Sequence, residues 1–460
     1  MILLNPEFQR NIWLKFSPFR LIAMPLLLGI LIFATAYFNT DWADDVSSLG
    51  LSVYYITVIL WGTYEAGQSF QDEVRNNTWD FQKMSQVTPR QLTLGKLLGA
   101  TSYTWYYGLT ALAVYGFCQL TGGSTNAGFS VLSLLLSGLI GHAASTLVSG
   151  LHVSRAMEKT TGIMRKNAGT VVAFLVGFIA SQAALSVSNF DVFSQKQRNI
   201  SGLIDWYGGA FDRTDFVLLS LCFFLFWLIM GAYRIIREEL LYKVTPVWWT
   251  AFICTLMVYF SGFDTTFDTP MEKIQFSYFF VLGLTYVTAF LEAGDLARYQ
   301  RFFLAQKRKQ AREAFINMPK WVASSFVLLA LYLTLLIDNA AHGGNESAEK
   351  FNLFTSLALF AARDILFVHL ALHVFRIRHV RFTLLFYYLM AYWLLPLLHA
   401  KLLGVRFDGF FEKAMGFSTW YYPSISGSVA TALFPVTLQI AGLCLIALYV
   451  HRHRKKQAAP

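Results

Sequence analysis

The residues best placed to do chemistry in this chain sit where charge is least expected. Arg363 and Asp364 are adjacent ionisable residues in the middle of an apolar run at 352–375. A charge at the centre of a bilayer costs about 2.5–3.5 kcal/mol on insertion scales, so such residues face a bundle interior and pair. Neighbours on a helix point about 100° apart, which directs these two towards partners on other helices rather than towards each other. Two readings stay open for them: a site or gate for an ionic group, and a lock between helices. The same run holds His369 and His373, spaced so that both could face one metal, but no third ligand stands at metal-type spacing. Core or interfacial histidines, and no metal site, are the expectation. Cys118, Cys222, Cys254 and Cys444 all lie in apolar runs and read as packing residues. No G-x-x-x-x-G-K-[ST] loop occurs, and Gly95-Lys96 lacks both the upstream Gly and the following Ser or Thr, so the chain is not expected to be an enzyme that hydrolyses nucleotide.

A second kind of chemistry, mechanical rather than covalent, is suggested by one polar segment. It reads Asp72-Glu73-Val74-Arg75-Asn76-Asn77-Thr78-Trp79-Asp80-Phe81-Gln82-Lys83-Met84-Ser85, then Thr88-Pro89-Arg90-Gln91-Leu92-Thr93-Leu94-Gly95-Lys96. This pattern gives an acidic helix end, a short amphipathic helix, a Pro-marked turn and a second helix that enters the membrane at Gly95-Lys96. Trp79, Met84 and Val87 are expected to form a modest apolar face. Such an element can lie on a membrane surface or dock into a groove on a partner, and the residues alone leave both open. Gly95-Lys96-Leu97-Leu98-Gly99 is one G-x-x-x-G with a Lys inside it, which by itself argues little for close helix packing.

The elements that must carry these residues follow from composition. Of 460 residues, 55% are apolar and only 14% charged, against about 25% charged in an ordinary soluble domain. Too few charges remain to cover water-facing surfaces, which excludes a soluble enzyme, and the richness in Phe, Leu and Trp excludes disorder. A bilayer core of about 30 Å needs about 20 apolar helical residues. Twelve such runs occur, at 21–38, 48–64, 97–119, 129–151, 169–188, 215–233, 247–262, 274–291, 321–337, 352–375, 382–398 and 425–450. With the N-terminus inside, the inner segments hold 28 of the 37 Lys and Arg, which fixes the orientation with both termini cytoplasmic. The basic tail at 451–456 is then a membrane-edge anchor and not a nucleic-acid patch. The first run starts after a long mixed-charge leader and reads as an uncleaved anchor.

The twelve runs divide into two parallel sets of six, 1–235 and 236–460. Each half opens with an interfacial stretch holding Arg, Trp and Pro. Each has a long inner loop after its second run, at 65–96 and 292–320, and both loops begin Glu-Ala-Gly: Glu65-Ala66-Gly67 and Glu292-Ala293-Gly294. Each has a long outer loop between its fifth and sixth runs, at 189–214 and 399–424. The fold class expected is therefore an all-α polytopic membrane protein of about twelve transmembrane helices in two parallel six-helix repeats.

Glu73, Thr78, Gln82, Pro89, Gly95 and Lys96 at this spacing resemble the loop between the second and third spans of ATP-binding cassette (ABC) exporter permeases of the second type. The opening Asn5-Pro6-Glu7-Phe8-Gln9-Arg10-Asn11-Ile12-Trp13 is similar to that family's amphipathic connecting helix. The resemblance covers the whole chain at the level of topology and, at the level of residues, positions 5–100. It implies a permease subunit of an ATP-driven exporter in the cell membrane, the inner membrane of a bacterium, translocating a substrate by alternating access. A separate ABC ATPase subunit, in two copies, would hold ATP and Mg, and this chain would hold no cofactor. Coupling would fall on Glu73, Asn77, Thr78, Trp79, Asp80, Gln82, Lys83, Pro89, Gly95 and Lys96. If the family pattern holds, the second, fifth, eighth and eleventh runs line the path, where Tyr54, Tyr55, Thr57, Tyr387, Tyr388 and Tyr392 stand. Two departures are evident: members usually have six spans, and the second inner loop is basic, with Arg298, Arg301, Lys307, Arg308, Lys309 and Arg312. The chief alternative is an ion-coupled secondary transporter with twelve spans, and a third class is a membrane enzyme acting on lipids. The outer acids that such an enzyme would gather are scattered over several loops.

Overall fold

The computed structural model describes residues 5–38, 42–157, 166–189, 203–263, 267, 269–292, 295–341, 345–371, 386–402, 420–423 and 429–457. Among these residues, nine helices are long and apolar enough to cross a bilayer, and a shorter apolar helix covers Val247–Ser261. The chain is a multi-pass, predominantly helical membrane protein. The second run is the most altered from expectation: a single 34-residue helix, Trp42–Arg75, absorbs the first third of what reads as an inner loop. Its amphipathic end, with Phe70 inward, has enough apolar surface to stay helical beyond the purely apolar stretch. The third run begins as a π-helical turn, Gly95–Gly99, followed by the helix Ser102–Thr121, whose Thr and Tyr content keeps it off the most apolar set. A two-stranded hairpin, Leu203–Trp206 with Gly209–Asp212, departs from the all-helical expectation. Tyr207 and Gly208, both at positive φ, form its two-residue turn. His373, Ala293, Gly294 and residues 158–165, 190–202 and 403–419 lie outside the described residues.

The chain divides into two compact units, Met1–Val244 and Thr245–Pro460. In the first, the helices Trp42–Arg75, Ala127–Met157 and Lys166–Asn189 meet through small residues. A Cβ on Gly177 would stand 2.6 Å from the Gly141 carbonyl oxygen, and one on Gly67 2.7 Å from the Ser145 hydroxyl, so glycine is what allows this approach. Polar side chains then stitch the helices together. Tyr54 donates to the Leu134 carbonyl (2.7 Å), Ser145 to that of Thr63 (2.9 Å) and Ser149 to that of Gly67 (2.5 Å). The second helix is π-helical over Tyr55–Gly62. There His142 accepts from the Trp105 indole (3.1 Å), which fixes its other nitrogen as the donor to the Val58 carbonyl (2.9 Å). In hydrocarbon such bonds satisfy groups that have no water to turn to.

The second unit packs Pro270–Glu292 against Lys320–Ala341 and Asn345–His369, with Tyr278, Leu282, Leu335 and Phe354 at its centre. Tyr278 donates to the Phe354 carbonyl (2.8 Å), and Thr285 to the Ser324 hydroxyl (2.9 Å).

Candidate functional site

The segment after the long second helix is built around its C-terminal turn. Asn77 adopts the left-handed conformation (φ 55°), Thr78 N–H donates to the Glu73 carbonyl (2.8 Å), and Asn77 N–H to that of Val74 (3.3 Å). This is the Schellman closure, and Asn tolerates the left-handed position better than most residues. The chain leaves it reversed, directly into the short helix Trp79–Met84. After Ser85 the Thr88 hydroxyl accepts from Gln91 N–H while the Gln91 side chain accepts from Thr88 N–H, a capping box with Pro89 in the first turn that starts the helix Pro89–Leu94. A third short element closes on these two. The amphipathic helix Pro6–Lys15 begins at Asn5, whose amide donates to the Gln91 carbonyl (2.7 Å). It crosses Gly95 and Gly99 so closely that a Cβ on Gly95 would lie 2.5 Å from the Glu7 side chain.

Four charged residues and one amide meet where these elements converge. Glu73 lies at the centre. Its Oε2 accepts from Lys96 Nζ, and its Oε1 accepts from both Arg10 and Gln82. Arg10 also bonds Glu7 (2.8 Å). Lys96 is 1% exposed and lies over the Phe70 ring (4.7 Å) and the Trp79 ring (5.4 Å), a cation held by one carboxylate and two aromatic faces. Burial pushes the Lys96 ammonium below the usual lysine range, against the pull of Glu73 and Glu7. Burial likewise pushes the Glu7 carboxyl up, with Lys96 and Arg10 opposing it. Two acids and two bases leave the cluster neutral, so its members are tied to each other rather than waiting for an ion.

Of the residues singled out by sequence, Glu73, Gln82 and Lys96 come together here, and Trp79 is buried beside them against Phe70, Leu92, Val153 and Ile236. Asn77 and Thr78 make the turn, Pro89 starts the next helix, and Gly95 admits the amphipathic helix. Lys83 faces Glu239 (3.6 Å) and Asp80 (3.9 Å), while the Asp80 side chain is 73% exposed. The expected apolar face needs correction. Trp79 and Val87 point into the core, but Met84 is exposed on the other side together with Phe81, because only one edge of a six-residue helix can face inward. Glu7, Arg10, Asn5 and Gln91 were not anticipated as partners. An acid and a base at i, i+3 in an amphipathic helix was the available signal, but nothing in the sequence says which loop it meets.

In the second unit Arg363 and Asp364 are both buried, and they do pair with each other, contrary to the expectation from helix geometry (2.9 Å and 2.8 Å). The long Arg side chain folds back across the angle between neighbouring positions. Each also reaches other helices. Asp364 accepts from Tyr387 (2.6 Å), Tyr392 (2.6 Å) and Tyr286 (2.9 Å). Arg363 donates to Gln439 (2.8 Å) and Tyr392 (2.6 Å) and lies over the Phe360 ring (4.5 Å). Tyr286 and Tyr388 share a further bond (2.6 Å). Tyr286 and Gln439 were missed, since a single Tyr or Gln in a span carries no pattern. The cysteines remain thiols, Cys118 buried, and among the described residues no group of three or more metal-type ligands occurs.

No family model, curated protein or solved structure matches the chain.

Proposed function

We propose that this chain is the membrane permease subunit of an ABC-type exporter, with two six-span halves in one polypeptide and an ATPase supplied by a separate subunit. The observation that carries the reading is the short helix Trp79–Met84. Its inner edge is fixed by Trp79 and by Gln82 on the Glu73–Lys96 pair, and its outer edge presents Asp80, Phe81 and Met84 to a partner. A short helix held at its base by ion pairs is a stiff lever, so a push on its tip moves the membrane helices continuous with Glu73 and Lys96. A similar clamp supports the two-half layout. In the second unit Glu292, at the end of its helix, holds Lys320 at the start of the next (2.6 Å to the backbone N–H, 3.6 Å to Nζ), as Glu73 holds Lys96 in the first. Tyr54 and Tyr278, each reaching a carbonyl of a neighbouring helix, form a second likeness.

The test is recovery of the tagged chain from native membranes. An ATPase should come with it, and Phe81→Asp with Met84→Asp should release that ATPase while the chain still inserts. Recovery without any ATPase overturns the proposal. The buried Asp364 and its ring of tyrosine hydroxyls favour a second reading, an ion-coupled secondary transporter, since a caged intramembrane carboxylate is what proton coupling requires. Transport stopped by uncouplers but indifferent to ATP depletion would select it.

A further inference from the structure

The second polar segment, between the helices Pro270–Glu292 and Lys320–Ala341, is built differently from the first. It consists of two short helices, Leu296–Lys307 and Ala311–Asn317. Its base is fixed to the membrane helices: Arg298 and Lys320 both face Glu292 (3.7 Å and 3.6 Å), and the Trp321 indole donates to the Tyr299 hydroxyl (2.6 Å). Arg298, Tyr299 and Ala305 are buried on one edge. The opposite edge carries Arg301, Phe303, Leu304 and Lys307, all exposed, and the turn adds Arg308, Lys309 and Arg312. Among the described residues Lys307, Arg308, Lys309 and Arg312 form no ion pair. In the first segment Lys83 and Lys96 face acids, and Arg75 and Arg90 form no ion pair among the described residues, so unpaired cations are fewer there and not consecutive.

The turn has a second feature. Gln310 N–H bonds the Ala305 carbonyl (2.9 Å) and Lys309 N–H that of Gln306 (3.0 Å), a Schellman closure with Lys309 in the left-handed position (φ 54°). Glycine is the residue this position favours, and an L side chain there is strained. The chain keeps a third consecutive cation at that cost.

We propose that this helical pair is an anchor for anionic phospholipid headgroups, with Phe303 and Leu304 seated at the headgroup boundary and Arg301, Lys307, Arg308, Lys309 and Arg312 on lipid phosphates. Three observations select the occupant. The segment is tied directly to the ends of two membrane helices and so stands at the membrane edge. Its exposed apolar residues are few and are ringed by cations, the pattern of a helix lying in the interface. Its charge over 296–317 is strongly positive, with Glu313 the one acid among six cations and five of those cations in no ion pair among the described residues, which a surface of lipid phosphates complements. The inference does not depend on an ATPase partner.

The test uses the full-length chain with Phe303→p-benzoylphenylalanine, reconstituted in nanodiscs of equal phosphatidylglycerol and phosphatidylcholine and crosslinked by light. Adducts to phosphatidylglycerol should exceed those to phosphatidylcholine at least fivefold, since each cation near an anionic surface is worth roughly a factor of five. The ratio should fall towards one in a variant with Arg301, Lys307, Arg308, Lys309 and Arg312 replaced by Gln. It should fall likewise for the unaltered charges at a salt concentration on the order of 1 M, which keeps the test valid if that variant fails to fold. The same probe at Phe81 should show no charge preference. Equal adducts to both lipids at low salt, or crosslinks from Phe303 only to a co-purified acidic protein, would overturn the proposal.

Discussion

Replacing Lys96 with Met tests the mechanical core of the first unit. The ammonium it removes is 1% exposed, bonded to Glu73 and set against both the Phe70 and Trp79 rings. Breaking a buried ion pair from one side costs about 3–5 kcal/mol when the remaining charge is stranded. Here Glu73 keeps Arg10 and Gln82 as donors, and the Met side chain takes the place of the Lys stem against the rings. Both effects pull the loss down to about 2–3 kcal/mol. The loss falls on the local element rather than on the helix bundle, whose bonds at Tyr54, His142 and Ser145 are untouched. With about 1.4 kcal/mol per factor of ten, amide exchange over residues 77–85 should quicken roughly 30- to 150-fold, while exchange over 140–149 stays as in the parent. Adding Glu73→Gln removes the stranded charge and leaves Arg10 with Glu7 (2.8 Å), so the double variant should exchange within about tenfold of the parent. Parental exchange in the single variant, or additive losses in the double, would show that this pair does not hold the short helix.

Three further outcomes follow from the same geometry. Gly95→Val places a branched side chain where Glu7 already stands 2.5 Å from a bare Cβ, so the helix Pro6–Lys15 must lift, at about 1–3 kcal/mol, and cleavage by trypsin at Arg10 or Lys15 should become rapid. Arg363→Met leaves a buried carboxylate without its cation and should cost about 3–5 kcal/mol, lowering the thermal midpoint of the purified protein, whereas adding Asp364→Asn should restore most of it. Asp212 caps the helix Arg213–Glu239, and bonds from the Thr214 hydroxyl and amide hold its carboxyl below the usual 3.8. A folded-state value below the unfolded one stabilises above that range and is lost as pH falls through it. Exchange of the Thr214–Phe216 amides, corrected for intrinsic rates, should therefore rise on acidification below about pH 4 in the parent but show no such step in Asp212→Asn.

How much of this was legible in the sequence depended on whether the signal was local. Nine long apolar helices among the described residues were, because apolar length is read residue by residue, and so was the Pro-marked start at Pro89, whereas the capping box of Thr88 and Gln91, though complete within four positions, was not read. The extension of the second helix to Arg75 was not. Amphipathic packing of Phe70 against Trp79 and Ile236 stabilises helix beyond the apolar run, and its partners lie far along the chain. Non-local pairing also explains the cluster on Glu73: the sequence marked Glu73, Gln82 and Lys96 as a group, but Arg10, 63 residues away, has no signature that names its partner. The same holds for Tyr286 and Gln439 around Asp364.

Each polar segment holds a helix end that closes through a non-glycine residue in the left-handed conformation. Asn77 and Lys309 occupy the same position of the same closure, Asn77 at the end of the long membrane helix Trp42–Arg75 and Lys309 at the end of the short helix Leu296–Lys307, and each leads into a further short helix. Asn meets the conformational demand at little cost, and at the base of the segment it opens Glu73 is satisfied by Arg10, Gln82 and Lys96. Lys309 meets it at a cost, beside Lys307, Arg308 and Arg312, which with it form no ion pair among the described residues. An element that has settled its charges can transmit force because nothing outside competes for its bonds. An element that has not must find its counter-charges elsewhere, and for a segment tied to two membrane helices the nearest abundant ones are lipid phosphates. On the two proposals made above, the first polar segment serves movement and the second attachment.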